Sequence, residues 1–257
     1  MTTLTYAVRD SNTMLRRNLK HMLRYPAMTV MLAGMPIIFL LLFVFVFGGT
    51  LGAGIGGDRS DYLAYVVPGI LLMMIGGAAT GTSVSIAMDM TEGIVARFRT
   101  MAIARVSLLT GHVLGSIIQT FIGLGIVLGV AVAVGFRTDT SLAGWLGIAG
   151  VLAMASFAFT WLAVALGMIA KTVEEASNTP LPLSLLPFLG SGFVPTDTLP
   201  TGLRQFAEYQ PYTPIMETIR ALLAGTPVGN NLAISAAWCA AIALAGYLWA
   251  KRSYNRK

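Results

Sequence analysis

A chain of 257 residues with 56% hydrophobic and only 11% charged residues has too few charges to cover a water-facing surface, on which roughly a quarter of residues are usually charged. That excludes an ordinary soluble domain, and the length is better divided by the roughly 20 apolar residues that one helical crossing of a bilayer requires. The formal charge of +6 raises nucleic acid as a partner, but the placement of the cations along the chain points to membrane topology instead.

Residues 4–24 predict an amphipathic helix. At about 100° per residue, Leu4, Val8, Leu15, Leu19 and Met22 share one face, and Arg9, Arg16, Arg17, Lys20 and Arg24 cluster on the other. Such a helix lies in a membrane interface with its cations toward lipid phosphates or a cytosolic partner. Pro26 ends it. More than twenty residues therefore precede the first apolar run, which continues for about a full span, so a cleaved signal peptide is not expected.

Apolar runs follow at 27–48, 62–88, 108–136, 144–170, 177–195 and 231–250, giving an expectation of an all-α integral membrane protein with six transmembrane helices in a single domain, 1–257. The third run carries G-x-x-x-G spacings at Gly111–Gly115 and Gly125–Gly129, which suit close helix packing. In the fourth, Ser156 and Thr160 sit beside Phe157, Phe159 and Trp161; with Gln119 of the third they are candidates to line a pathway, although such residues also serve helix packing. The fifth run holds Pro180, Pro182 and Pro187, each lacking a backbone donor, and predicts a broken or kinked helix. Before the sixth lies an external segment too long for a simple turn, with helical character at 203–209 and 215–223 separated by Pro211 and Pro214. These pieces are expected to cap an outer mouth or dip into the bilayer. The lone Cys239 can form no internal disulfide.

The loops orient the set. With a cytoplasmic N-terminus, that side receives Arg9, Arg16, Arg17, Lys20, Arg24, Arg97, Arg99, Arg105, Lys171, Lys251, Arg252, Arg256 and Lys257, which is 13 of the 17 Lys and Arg. Only Arg59, Arg137, Arg204 and Arg220 fall opposite. The positive-inside rule thus places both termini in the cytoplasm, and six crossings agree.

The central cytoplasmic segment, 89–111, mixes Asp89, Glu92 and Gly93 with Arg97, Arg99 and Arg105 among apolar residues. Asp89 and Glu92 have capping-box spacing, which suggests a short helix able to fill a cleft on a cytosolic protein. Asp89-x-x-Glu92-Gly93-x-x-Ala96-Arg97 resembles half of a CDP-alcohol phosphotransferase signature. No further acid occurs before Asp139, however, so a two-metal carboxylate site cannot be assembled. His21 and His112 lack metal-ligand spacing, no phosphate-binding P-loop occurs, and the span centres carry almost no ionisable residues. This argues against an autonomous ion-driven carrier and leaves the energy for any transport to come from elsewhere.

Three markers in order resemble the ABC-2 type transporter permeases, in particular the daunorubicin-resistance-like drug and lipid exporters. They are the basic helix before Pro26; Glu92, Gly93, Ile94 and Arg97 followed by Ser107 to Gly111; and Ser191 to Pro195, Leu199-Pro200, Gln210 to Pro214 and Arg220. The resemblance spans the chain. It implies a permease subunit in the bacterial inner membrane, paired with a second permease copy or paralogue and driven by a separate ABC ATPase. ATP and Mg would be bound by that ATPase, and this chain would carry no cofactor. Asp89, Glu92, Gly93, Ile94, Arg97, Arg99 and Arg105 would then form the ATPase-coupling surface. A hydrophobic or amphipathic small molecule is the implied cargo; a glycan exporter and a lipid-modifying membrane enzyme are the alternatives.

Overall fold

A computed structural model describes residues 24, 26–91 and 105–256. Every regular element among them is helical: α1 (Pro26–Leu41), a π-helical stretch (Leu42–Phe47) leading into α2 (Gly48–Gly54), α3 (Arg59–Thr91), α4 (Arg105–Val134), α5 (Leu142–Ile169), α6 (Val173–Asn178), α7 (Leu181–Leu185), α8 (Thr201–Tyr209), α9 (Tyr212–Ala224) and α10 (Asn231–Arg256). Among the described residues five helices are long and apolar enough to cross a membrane: Val30–Gly54, Arg59–Thr91, Thr110–Val134, Leu142–Ile169 and Asn231–Ser253. They fall on five of the six apolar runs. Arg24 is helical and exposed; the rest of the basic 4–24 helix lies outside the described residues, as do Glu92, Gly93, Ile94, Arg97 and Arg99.

Of the two forms expected for the fifth run, broken or kinked, the structure has the broken one. Residues 173–189 form two short helices and a 3-10 turn, α6, α7 and Leu186–Leu189. Pro180 precedes α7, Pro182 lies within it and Pro187 is the second residue of the 3-10 turn, so the missing donors and ring clashes divide the segment rather than bend it. Its backbone is sheltered by α3. Ala176 packs on Ala87, a Cβ at Gly76 would lie 2.7 Å from the Leu183 carbonyl oxygen, one at Gly69 would lie 2.7 Å from that of Gly192, and the Tyr62 hydroxyl donates to the Phe193 carbonyl at 3.1 Å. The segment therefore runs antiparallel to α3 from Ala87 to Tyr62. At about 1.5 Å per residue this covers roughly 37 Å, more than the roughly 30 Å hydrocarbon core.

Helix directions follow from similar contacts. Met74, Thr82 and Asp89 of α3 meet Gly123, Ser116 and His112 of α4, an antiparallel pairing. Gly167 of α5 abuts Ser83 of α3, and Gly246 of α10 abuts the Trp161–Leu162 backbone of α5, so α3, α5 and α10 run in parallel. Ile86, Val113, Met168 and Ala250 form one buried cluster at the end where α1 begins and α10 finishes. We call this the terminal end and the opposite one the loop end. The apolar residues of α3 and α5 are mostly buried, whereas α1, the π-helical stretch and α10 leave Val30, Met31, Ile38, Phe45, Leu244 and Leu248 exposed, as a lipid-facing or subunit-facing surface requires. Among the described residues Gly125 and Gly129 of α4 have no neighbour that a Cβ would meet, and no described helix packs on that G-x-x-x-G face.

At the loop end α3 starts with a reciprocal cap. The Asp58 carboxylate accepts from Ser60 N (2.6 Å) and Asp61 N (3.1 Å), and Asp61 accepts from Asp58 N (3.0 Å). The Ser60 hydroxyl bonded to it holds the Asp58 carboxyl below its usual pKa, helped by the Asp61 and Ser60 amides.

Candidate functional site

The late proline-rich motif is scattered in sequence but assembles around one cation. Arg220 lies on α9 three residues after Glu217, in an otherwise apolar stretch, so helix geometry lets those two pair at 2.6 Å. Its remaining donors reach backbone. Nε donates to the Tyr65 carbonyl at 3.1 Å, and one terminal nitrogen to the Ser191 hydroxyl at 3.1 Å. The other reaches the carbonyls of Ser191 and of Gly192. The guanidinium carbon stands 3.7 Å from the centre of the Tyr65 ring, a cation–π arrangement. A rigid five-donor fork suits this set of divergent acceptors, which a point-like ammonium would not span.

The rest of the motif supports the same loop. Ser191 N donates to the Thr213 hydroxyl at 3.3 Å, Gln210 Nε2 to the Leu186 carbonyl at 3.1 Å, and the Tyr212 hydroxyl to the Leu183 carbonyl at 2.6 Å. These side chains thus bond carbonyls and an amide that the broken segment leaves outside regular helix, as a low-dielectric setting demands. Phe193 of the same loop stacks on Phe43 (4.5 Å between ring centres) and on Phe188 (4.3 Å), beside the π-helical stretch of the first long helix. A π-helical turn often marks a functional position.

Contacts also fix where α9 lies along α3. Its first residue, Tyr212, stacks on Phe159 (4.8 Å) and bonds Leu183, which lies at the level of Gly76. Its last turn meets the loop-end connection, where Thr138 and Thr140 donate to the Leu223 carbonyl at 2.9 and 2.8 Å. Gly225, in the left-handed region at φ 64°, closes it. Between the levels of Gly76 and Tyr65 α9 therefore climbs roughly 16 Å, about half a hydrocarbon core.

At the terminal end a second polar contact appears. His112 Nε2 and Asp89 Oδ2 are 2.8 Å apart, and both residues are buried. Asp89 is thus no cap at the start of a separate helix. It lies inside α3, which continues to Thr91, because the apolar surroundings of α3 and α4 carry the helix past it. Of the expected coupling residues, Asp89 faces α4, and Arg105 is the first residue of α4. The proposed pathway residues Ser156 and Thr160 are buried in α5, and Gln119 is half-buried on α4. The Ser156 hydroxyl has no hydrogen-bond partner among the described residues. Trp161 packs edge-on against Tyr247 of α10 at 5.1 Å, a helix-packing role.

Sequence reasoning quoted Ser191, Gln210, Thr213 and Arg220 as parts of a motif but gave them no joint role, and it missed Tyr65 and His112 as partners. The one available signal was the isolated Glu217/Arg220 pair inside an apolar helix. Among the described residues no three His, Cys, Asp or Glu side chains converge as metal ligands.

The sequence pattern of the family described as "ABC-2 type transporter" matches residues 10–224. The chain is also similar to the daunorubicin resistance ABC transporter permease protein DrrB1 of Streptomyces coeruleorubidus. The two are 28% identical over 243 residues, which cover 92% of this chain and 84% of that one. Similarity extends to the probable doxorubicin resistance ABC transporter permease protein DrrC of Mycobacterium tuberculosis, at 27% identity over 215 residues, 81% of this chain and 74% of the relative.

Proposed function

The chain belongs to the ABC-2 type transporter family, and from that premise we propose that it is the permease subunit of an ATP-driven exporter of hydrophobic or amphipathic small molecules. The observation that carries the reading is similarity over 92% of the chain to a permease named for daunorubicin resistance. A separate ABC ATPase supplies the energy and holds ATP and Mg; a second permease copy or paralogue completes the pathway.

Six crossings are part of this reading. The broken segment 173–193 provides the fifth, supported by its course along α3 from Ala87 to Tyr62. With it, the terminal end faces the cytoplasm, in line with Arg24, Lys171, Lys251 and Arg252 at that end. The helices α8 and α9 form a re-entrant pair that enters from outside as far as Tyr212 and returns. Glu92, Gly93, Ile94, Arg97, Arg99 and Arg105 contact the ATPase, and Arg9, Arg16, Arg17, Lys20 and Arg24 anchor the interfacial helix. ATP favours one state of the pathway only through the difference in its affinity for the two states. The permease's task is to convert that difference into movement of α3 and its neighbours.

The test is co-purification with a candidate ABC ATPase, followed by reconstitution into liposomes. Stimulation of ATP hydrolysis and ATP-dependent movement of an anthracycline are expected. Stimulation by a lipid-linked glycan with none by amphipathic drugs would overturn the cargo assignment, and failure to associate with any ATPase would overturn the whole reading.

A further inference from the structure

Asp89 and His112 occupy a particular place in the antiparallel pairing of α3 and α4. Three side-chain meetings mark that pairing from the loop end downward: Met74 with Gly123, Thr82 with Ser116 at 2.5 Å, and Asp89 with His112 at 2.8 Å. The Asp89–His112 contact is the rung nearest the connection 92–104. Asp89 stands two residues before the end of α3, and His112 stands seven residues into α4. Both are less than 10% exposed. Ala87, two residues before Asp89, is buried with Ala170 and Ala176, and Val113, next to His112, with Ile86 and Met168. In such surroundings a hydrogen-bonded carboxylate and imidazole hold tightly.

We propose that Asp89 and His112 form a clasp that makes α3 and α4 move as one body when the 92–104 segment is displaced. They act as positioning residues rather than as part of the ATPase contact surface. This rests on the reading of 92–104 as the coupling segment. Helix ends fray most readily in their last turn. Without the clasp, a push on the connection is absorbed by unwinding those turns. With it, the displacement reaches the far end of α3, about 36 Å away along a continuous helix, where Tyr65 meets Arg220. The inner clasp and the outer Arg220 cluster are thus joined by the helix that the fold buries most thoroughly.

The test uses the complete permease–ATPase complex in lipid nanodiscs. Spin labels are placed at Gly54→Cys, where a side chain meets open space, and at exposed Thr198→Cys. Distances between labels are measured with and without ATP–vanadate. The native pairing is compared with His112→Gln, Asp89→Asn and the exchanged pair Asp89→His with His112→Asp. Expected is intact ATPase binding in all of them. In the single variants the nucleotide-driven population ratio falls about tenfold, within the range of coupling between sites; in the exchanged pair most of it returns. A merely structural role would not give that reciprocal rescue with binding unchanged. Native-like responses in both single variants would overturn the clasp. So would loss of ATPase binding in them, which would put the pair in the docking surface. Failure of the native chain to bind any ATPase would instead sink the coupling reading on which the clasp stands.

Discussion

Replacing Arg220 separates two explanations of the outer cluster: an ion pair with Glu217, or a fork that ties the Ser191–Gly192 loop to α3. The Glu217 side chain is 38% exposed and that of Arg220 only 14%. The ion pair is therefore screened on one side and should contribute at most about 1 kcal/mol. The contacts to the carbonyls of Tyr65 and Ser191 and to the Ser191 hydroxyl are part-buried and charge-assisted, at about 1.5–3 kcal/mol each. Arg220→Met leaves those acceptors without donors and should cost about 3–5 kcal/mol. Arg220→Lys keeps the charge but reaches fewer of the divergent acceptors, and should cost about 2–4 kcal/mol. Glu217→Gln should cost less than about 1 kcal/mol. Unfolding free energies measured in bicelles by steric trapping provide the assay. A Glu217→Gln variant as damaged as Arg220→Met would refute the fork and make the ion pair the dominant contact. A native-like Arg220→Lys would show that the guanidinium geometry is immaterial.

Gly76→Ala should destabilise the chain by about 1–3 kcal/mol, since the new methyl would lie 2.7 Å from the backbone of the broken segment; an unchanged melting curve in detergent would mean that the segment does not pack there. Topology can be read from cysteine labelling, because native Cys239 is buried. A membrane-impermeant maleimide should label Thr198→Cys in intact cells and Arg252→Cys only after permeabilisation. Labelling of Arg252→Cys from outside would leave an odd number of crossings between the two ends. The Asp58 cap has a defined pH sign. Its carboxyl is held below the usual pKa, so its stabilisation is complete above the unfolded-state value and is lost as the pH falls through the lower folded one. Carboxyl-carbon NMR of Asp58 should titrate below the free aspartate value, and a midpoint at or above it would remove the cap from the account.

The apolar runs were legible because burial in lipid and helix length impose a local rule: about 20 apolar residues are needed whatever the neighbours are. Val30–Gly54, Arg59–Thr91, Thr110–Val134, Leu142–Ile169 and Asn231–Ser253 accordingly lie on five of the six runs read from the sequence alone. Charge placement was equally local, as was the breaking effect of Pro180, Pro182 and Pro187. What α6, α7 and the following turn do with their freed carbonyls was not legible, because their partners, Gln210, Tyr212 and Arg220, lie some 24–29 residues further along the chain. The same holds for Asp89, which its spacing to Glu92 marked as a cap. Only the antiparallel approach of α3 and α4 turned it toward His112. Local periodicity decides which segments become helices and which face is apolar. Which carbonyl, carboxylate or ring each polar side chain meets is decided by packing between distant segments, and that packing exists only once the bundle has closed.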